Sequence, residues 1–171
     1  MYKYIKKAWK KPSKELLKER LIAWRKEPSV LKLDHPTRID RARNLGFKAK
    51  QGIIIARVKL KRGGRQRPKI KGGRRPKAFR RKLILSESYR VVAERRAAKH
   101  FKNLEVLNSY NIAKDGKNYW FEVILVDPHH PVIQSDKNLN WIGHGANKKR
   151  ITHGLTSSQK KSRGLRYSGK G

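Results

Sequence analysis

Four clusters of lysine and arginine carry the chemistry that this sequence can perform, and that chemistry is the grip of phosphate. The first is Lys48-Ala49-Lys50-Gln51-Gly52, followed by Arg57, Lys59 and Lys61. The second is Arg62-Gly63-Gly64-Arg65 with Arg67, and Lys69 and Lys71 lead on to the third, Arg74-Arg75, Lys77, Arg80 and Arg81. The fourth is Lys148-Lys149-Arg150 with His153, Lys160, Lys161, Arg163 and Arg166. Paired glycines among cations bring the backbone close to a phosphate–sugar chain, because no Cβ intervenes. Arginine adds a planar fork that holds phosphate bidentately and stacks on exposed bases. Phe79 stands in the basic segment with few apolar neighbours and is the best single candidate for stacking on RNA or for anchoring the loop. Tyr2, Tyr4, Trp9, Trp141 and Tyr167 lie outside clear core patterns, and packing on the flanks of the domain is their expected role.

Other chemistries find little support. Asp127-Pro128-His129-His130, His144 and His153 include no H-x-x-x-H or comparable ligand spacing, and adjacent histidines on an extended chain point apart. No G-x-S-x-G elbow is present, and neither glycine pair resembles a phosphate loop or a dinucleotide fingerprint. Carboxylates are too few for a two-metal nuclease centre. The expectation is therefore no catalysis, no metal, no cofactor and no small-molecule substrate.

Charge explains why the clusters matter together. The 171 residues carry 46 Lys and Arg against 12 Asp and Glu, a net charge of +34. A soluble surface mixes both signs at a net charge of roughly 2–8, so this excess is more than solubility needs. It repels itself and opposes compaction unless a polyanion cancels it, and release of the polyanion's counterions would drive binding. Acids are missing from Arg41 to Ser86 and again from Lys137 to Gly171. Between Arg57 and Lys82 there are 14 Lys or Arg in 26 residues. Apolar runs such as Ile53–Ala56 and Val123–Val126 fall far short of a membrane span of about 20 residues. The Lys- and Trp-bearing stretches Tyr2–Lys11 and Ser13–Lys26 resemble interfacial helices, but Glu15, Glu19 and Glu27 interrupt the polar face. No membrane partner is expected, no secretory segment follows Met1, and a cytoplasmic location follows. There is no cysteine.

The elements that must position these clusters read as an α+β domain with a mostly antiparallel sheet, spanning 1–171, with a basic loop at 61–85 and a basic C-terminal extension at 137–171. Ser13 caps a helix through Glu27 with Leu17, Leu21 and Trp24 on one face. Thr37-Arg38-Ile39-Asp40 matches a capping box with Asp for Glu, and Gly46 closes a short helix over Arg38–Leu45. Ile54, Ala56, Val58 and Leu60 alternate with Ile55, Arg57, Lys59 and Lys61, which predicts a half-buried strand with a cationic outer face. Ser86 is the cap candidate for a helix to His100 that places Tyr89, Ala93, Ala97 and Phe101 on one stripe. Alternation over Leu104–Ile112 and Tyr119–Leu125, with Asp115-Gly116 between, predicts a β-hairpin. The tracts Arg57–Lys82 and Lys148–Lys170 are too polar to bury much surface and read as disordered or extended.

The order of motifs is similar to that of a known family. K-A-K-Q-G at 48–52, R-G-G-R at 62–65 and V-A-E-R-R-A at 92–97 are followed by L-E-V-L-N-S-Y at 104–110 and F-E-V-I-L-V-D-P at 121–128. G-L-T-S at 154–157 and K-S-R-G-L at 161–165 complete the series. Over nearly its whole length the chain resembles the archaeal–eukaryotic large-subunit ribosomal proteins of the "fifteen-e" type, in its archaeal form. The resemblance implies a structural constituent of the large ribosomal subunit whose partners are large-subunit ribosomal RNA and neighbouring large-subunit proteins. It also implies RNA contact by the K-A-K-Q-G, R-G-G-R and G-L-T-S segments. Arg96 stands where the family more usually has an acid, and Asn111 where an aromatic is common. A free architectural or regulatory nucleic-acid-binding protein would account for the charge equally well, but the sequence holds neither a helix-turn-helix pattern nor a zinc finger.

Overall fold

A computed structural model describes residues 2–66, 72–73, 82–83 and 87–166, with residues 65–66 and 82–83 described by backbone alone. Helices α1 (Tyr2–Lys10) and α2 (Lys14–Lys26) lead into strand β1 (Val30–Leu33), helix α3 (Ile39–Asn44) and strand β2 (Ile53–Lys61). A two-stranded ribbon pairs β3 (Arg65–Gln66) with β4 (Lys82–Leu83). Helix α4 (Tyr89–His100) precedes the hairpin of β5 (Glu105–Lys114) and β6 (Asn118–Val126), and then come α5 (Pro131–Gln134), two 3₁₀ turns (Asn140–Gly143 and Gly145–Asn147) and α6 (Ser157–Ser162). The main sheet is antiparallel throughout, in the order β1-β2-β6-β5. The α+β reading holds.

Both faces of the sheet are covered. On one side Trp24, Phe47, Ile55, Trp120, Ile133 and Ile142 form a core under α2, α3 and the segment after β6. On the other side Val58, Leu60, Ala93, Ala97, Val106 and Leu125 pack under α4. The expected outer face of β2 is thus corrected. Ile55 and Arg57 are buried like Ala56 and Val58 on the opposite face, because α2 and the Ile133–Ile142 segment lie over them, while Lys59 is half-buried and Lys61 exposed. Burying each such aliphatic side chain contributes about 1.5–3 kcal/mol, which a one-sided sheet could not collect twice. Bulges between Val106 and Asn108 and between Asn111 and Ala113 break the simple alternation of β5. Val106 therefore joins the α4 core, whereas Tyr110 and Ile112 join the other.

The helix ends show which local signals operate. Ser13 accepts from the Leu16 amide as expected. The α4 cap is Ser88, accepting from Val91, rather than Ser86. The capping box at Thr37 does not form: Arg38 is the N-cap without a side-chain bond, and Asp40 pairs with Arg38 instead. The C-terminal end of α3 does follow its glycine. Gly46 at φ 99° lets its amide reach Arg43 and the Phe47 amide reach Ala42, the paired bonds of a left-handed helix stop.

The C-terminal tract also departs from expectation. Residues 137–166 are folded onto the domain rather than extended from it, with Leu139, Ile142 and Ile151 buried. The tie is Glu94 of α4, which has no exposed surface. Its carboxylate accepts from the hydroxyls of Thr156 (2.8 Å), Ser109 and Ser158, and Arg90 lies 3.8 Å away. Leaving buried hydroxyls unpartnered costs about 1–3 kcal/mol each, so Glu94→Ala should destabilise the domain by about 3 kcal/mol or more in urea unfolding. Amide exchange should then rise first across residues 151–162. Unchanged exchange there would mean that the tail is held by other contacts.

Candidate nucleic-acid interface

The phosphate candidates divide into cations that the fold uses internally and cations that it presents. Arg57 is 8% exposed, with its guanidinium 2.8 Å from both oxygens of Glu27 and 4.5 Å above the Trp24 ring. Arg150, also 8% exposed, donates to the Val106 carbonyl and to Asn147, and stacks on Trp141 at 4.6 Å. Burial lowers its pKa. Lys59 donates to the carbonyls of Arg25 (2.8 Å) and Glu27 (2.6 Å), where it neutralises the C-terminal end of α2. Lysine and arginine types at these positions serve the fold. Their neighbours face outward: Lys61, Arg62, Gly63, Gly64, Lys148, Lys149, His153, Lys160, Lys161, Arg163 and Arg166 are all exposed.

The K-A-K-Q-G loop is half committed. Lys50 ion-pairs Asp136, and Lys48 lies 3.6 Å from the same carboxylate, while Lys48 and Gln51 remain exposed. Gly52 sits at φ 82°, where an added Cβ would meet Ile133 at 2.6 Å, so only glycine lets the loop lie this close to α5. In R-G-G-R, Gly63 takes φ 105°, and its amide and carbonyl both bond to the Tyr89 hydroxyl. Arg62 lies 5.2 Å over the Tyr119 ring and donates to the Asp115 carbonyl at 2.7 Å. Arg65 is described by backbone alone, and Arg67, Lys69, Lys71, Arg74, Arg75, Lys77, Phe79, Arg80, Arg81 and Tyr167 lie outside the described residues.

Sheet register sorts these groups into two poles. Ile53 pairs with Val126 and Val126 with Glu105, whose carboxylate accepts from the amides of Lys149 and Arg150. The K-A-K-Q-G loop and Lys148-Lys149 therefore share one end of the sheet. Lys149 turns the chain there at φ 51°, a conformation that non-glycine residues rarely adopt. Lys61 pairs with Asn118 at the other end, beside the Asp115-Gly116 turn and Arg62. The eight steps between the nine residues of β2, at about 3.3 Å each, separate the poles by roughly 26 Å.

A sequence model of the family described as Ribosomal L15 matches residues 1–171. The chain is 55% identical over 175 positions to the large ribosomal subunit protein eL15 of Methanocella arvoryzae, covering 99% of this chain and 89% of that protein. The chain belongs to the ribosomal L15e family.

For this L15e protein, the G-L-T-S segment differs from what the resemblance implied. Thr156 has no exposed surface, because its hydroxyl serves Glu94, and Gly154 is buried, so only the half-buried Leu155 and Ser157 of the motif reach the surface. Sequence reasoning also missed Arg25 and Lys117, which join Lys59, Lys61 and Arg62 around one hollow. Arg25 falls within the helix expected over Ser13–Glu27 and Lys117 follows the Asp115-Gly116 turn, and no local signal says that the end of α2 meets the hairpin turn. His130 caps α5 through its ring nitrogen, accepting from Val132. Trp9 is half-buried between Arg20 and Arg38, as flank packing predicts, whereas Tyr4 is 75% exposed.

Asp136 gives this pole a pH signature. The Lys50 ammonium and the Asn138 amide hold its carboxyl at about 2, below the ordinary 3.8. A carboxyl depressed in the folded state stabilises above its ordinary pKa and loses that contribution as pH falls toward about 2. Urea midpoints measured from pH 5 to 2 should therefore fall less steeply for Asp136→Asn than for the wild type. Superimposable acid limbs would show that Lys50 does not hold the carboxylate.

Proposed function

We infer that this L15e protein is a structural constituent of the large ribosomal subunit, located with that subunit in the cytoplasm, where it binds ribosomal RNA and contacts neighbouring ribosomal proteins. The observation that carries this reading is the family match over all 171 residues. The net charge of +34, part of which the fold presents at both ends of the sheet, supplies the physical reason. Lys48, Gln51, Lys148, Lys149 and His153 at one pole, and Lys61, Arg62, Gly63 and Gly64 at the other, contact RNA backbone. Lys160, Lys161, Arg163 and Arg166 along α6 and beyond it add to the contact, and the 61–85 loop carries further cations. Phosphate contacts supply affinity, while shape and splayed bases supply register.

The role is structural rather than catalytic. Two groups deep in the core, the Glu122 carboxyl and the Tyr110 phenol, have their titrations pushed upward chiefly by burial. They are 0% and 3% exposed and bonded to each other, so no substrate reaches them. Among the described residues there is no group of three metal-ligating side chains and no helix long and apolar enough to cross a membrane.

Two measurements test this reading. In a sucrose gradient of native lysate at moderate salt, the chain should migrate stoichiometrically with the large ribosomal subunit. A peak at the top of the gradient, or with chromosomal DNA, would overturn the assignment in favour of a free nucleic-acid-binding regulator. With about ten phosphates neutralised, the logarithm of affinity for large-subunit RNA should fall against the logarithm of salt with a slope of about −7 to −9. A slope near −2 would defeat the electrostatic account.

A further inference from the structure

The turn of the hairpin and the end of α2 enclose an open hollow of about 560 Å³ lined by Arg25, Lys59, Lys61, Arg62, Gly116, Lys117 and Asn118. Five of these seven residues are cationic and none is acidic. Asp115, beside Gly116, does not itself line the hollow. Its side chain is 9% exposed, and it accepts from Arg25 at 2.9 Å and from the Lys117 amide at 2.7 Å. Burial alone would raise the Asp115 pKa, but the Asn118 and Lys117 amides and Arg25 outweigh it and hold the carboxyl below its ordinary value. Its charge thus orients Arg25, which stays half exposed.

The cations differ in how they are held. Arg62 is the oriented one, laid on Tyr119 and tied to the Asp115 carbonyl, with its amide bonded to the Lys117 carbonyl. A guanidinium held in this way loses little conformational entropy when its free N–H groups meet a phosphate. The side chains of Lys61 and Lys117 have no ion pair or hydrogen bond among the described residues. Gly116 leaves the floor open, since an added Cβ would meet nothing within 4 Å.

We propose that this hollow is a seat for the RNA backbone, in which Arg62 grips one phosphate as a fork and Lys61 and Lys117 neutralise the flanking phosphates. The proposal rests on the ribosomal reading and deepens it by naming one place of contact. It recognises phosphate and ribose rather than base edges, so it is indifferent to sequence.

The test is binding of the full chain to large-subunit ribosomal RNA across a salt series. Lys61→Ala with Lys117→Ala should weaken binding roughly tenfold at 0.1 M salt and make the logarithmic salt slope shallower by about 1.5, at 0.7–0.9 per phosphate. Lys61→Arg with Lys117→Arg should restore both. Lys99→Ala with Lys102→Ala, on exposed positions at the end of α4, should leave both unchanged. Because the chain has no cysteine, Gly116→Cys offers one attachment point for an iron–EDTA radical source in assembled subunits. Cleavage from it should fall on one continuous stretch of ribosomal RNA. If the wild type binds RNA with a steep salt slope while the Lys61/Lys117 alanine variant matches it, the seat is wrong and the ribosomal reading stands. The same holds if the tethered source cuts no RNA in the subunit. A wild type that neither binds large-subunit RNA nor enters the subunit strikes the ribosomal reading itself.

Discussion

Carboxylates are the scarce resource in this chain, and their placement decides which of the 46 cations remain free to face a partner. Nine of the twelve acids make identifiable bonds inside the fold. Glu27 holds Arg57, Asp40 holds Arg38, Glu87 holds Arg95, and Asp136 holds Lys50. Asp115 and Asp127 close turns, and Glu105 accepts the amides of Lys149 and Arg150. Glu94 and Glu122 are buried outright. Surface ion pairs contribute little, with a median of about 0–1 kcal/mol, so the importance of these bonds lies in geometry rather than in summed energy. They pin α2, α3 and the C-terminal segment against the sheet, and much of the unmatched positive charge is left on the surface, including both ends of the sheet.

The two buried carboxylates make the same point from inside. Burying a charge is costly unless its lone pairs are filled, and both are filled chiefly by neutral donors. Glu122 accepts from the Thr37 amide and the Tyr110 hydroxyl, and Glu94 from three hydroxyls. Such donors act only at short range and in one orientation, so they specify where distant segments meet. Thr37 is thereby set against the sheet on one face, and Thr156 and Ser158 on the other. The hydroxyls of Thr156 and Ser158 are consumed in holding the tail down, while Lys160, Lys161, Arg163 and Arg166 beyond them stay exposed.

Much of the architecture was legible in the sequence because it is written in local periodicity. The hairpin, the stripe of α4, the cap at Ser13 and the glycine stop at Gly46 all depend on residues within a few positions of one another. What was not legible depends on tertiary cover. Arg57 and Ile55 read as an outer face until α2 lies over them. Ser88 rather than Ser86 caps α4, a choice that composition does not resolve. The tract from Lys148 read as extended because its charge is dense, yet Arg150, Ile151 and Thr156 are enough to dock it. The clusters of the candidate interface were likewise visible as composition. The division into internal and presented cations required knowing which aromatic, carbonyl or carboxylate lay opposite each one.

Rigid spacing between the poles has a consequence for how such a protein would hold RNA. At about 0.1 M salt, charges farther apart than roughly 10 Å act almost independently, so poles some 26 Å apart engage separate stretches of backbone. Once one pole is bound, the second meets its RNA at an effective concentration set by the sheet, and affinity multiplies without new contacts. A flexible arm would dissipate that gain over many geometries. A four-stranded sheet buried on both faces does not, because moving one pole relative to the other means breaking the register from Ile53–Val126 to Lys61–Asn118. On that reading the double core under the sheet would serve binding by fixing the distance between two segments of a phosphate-rich partner.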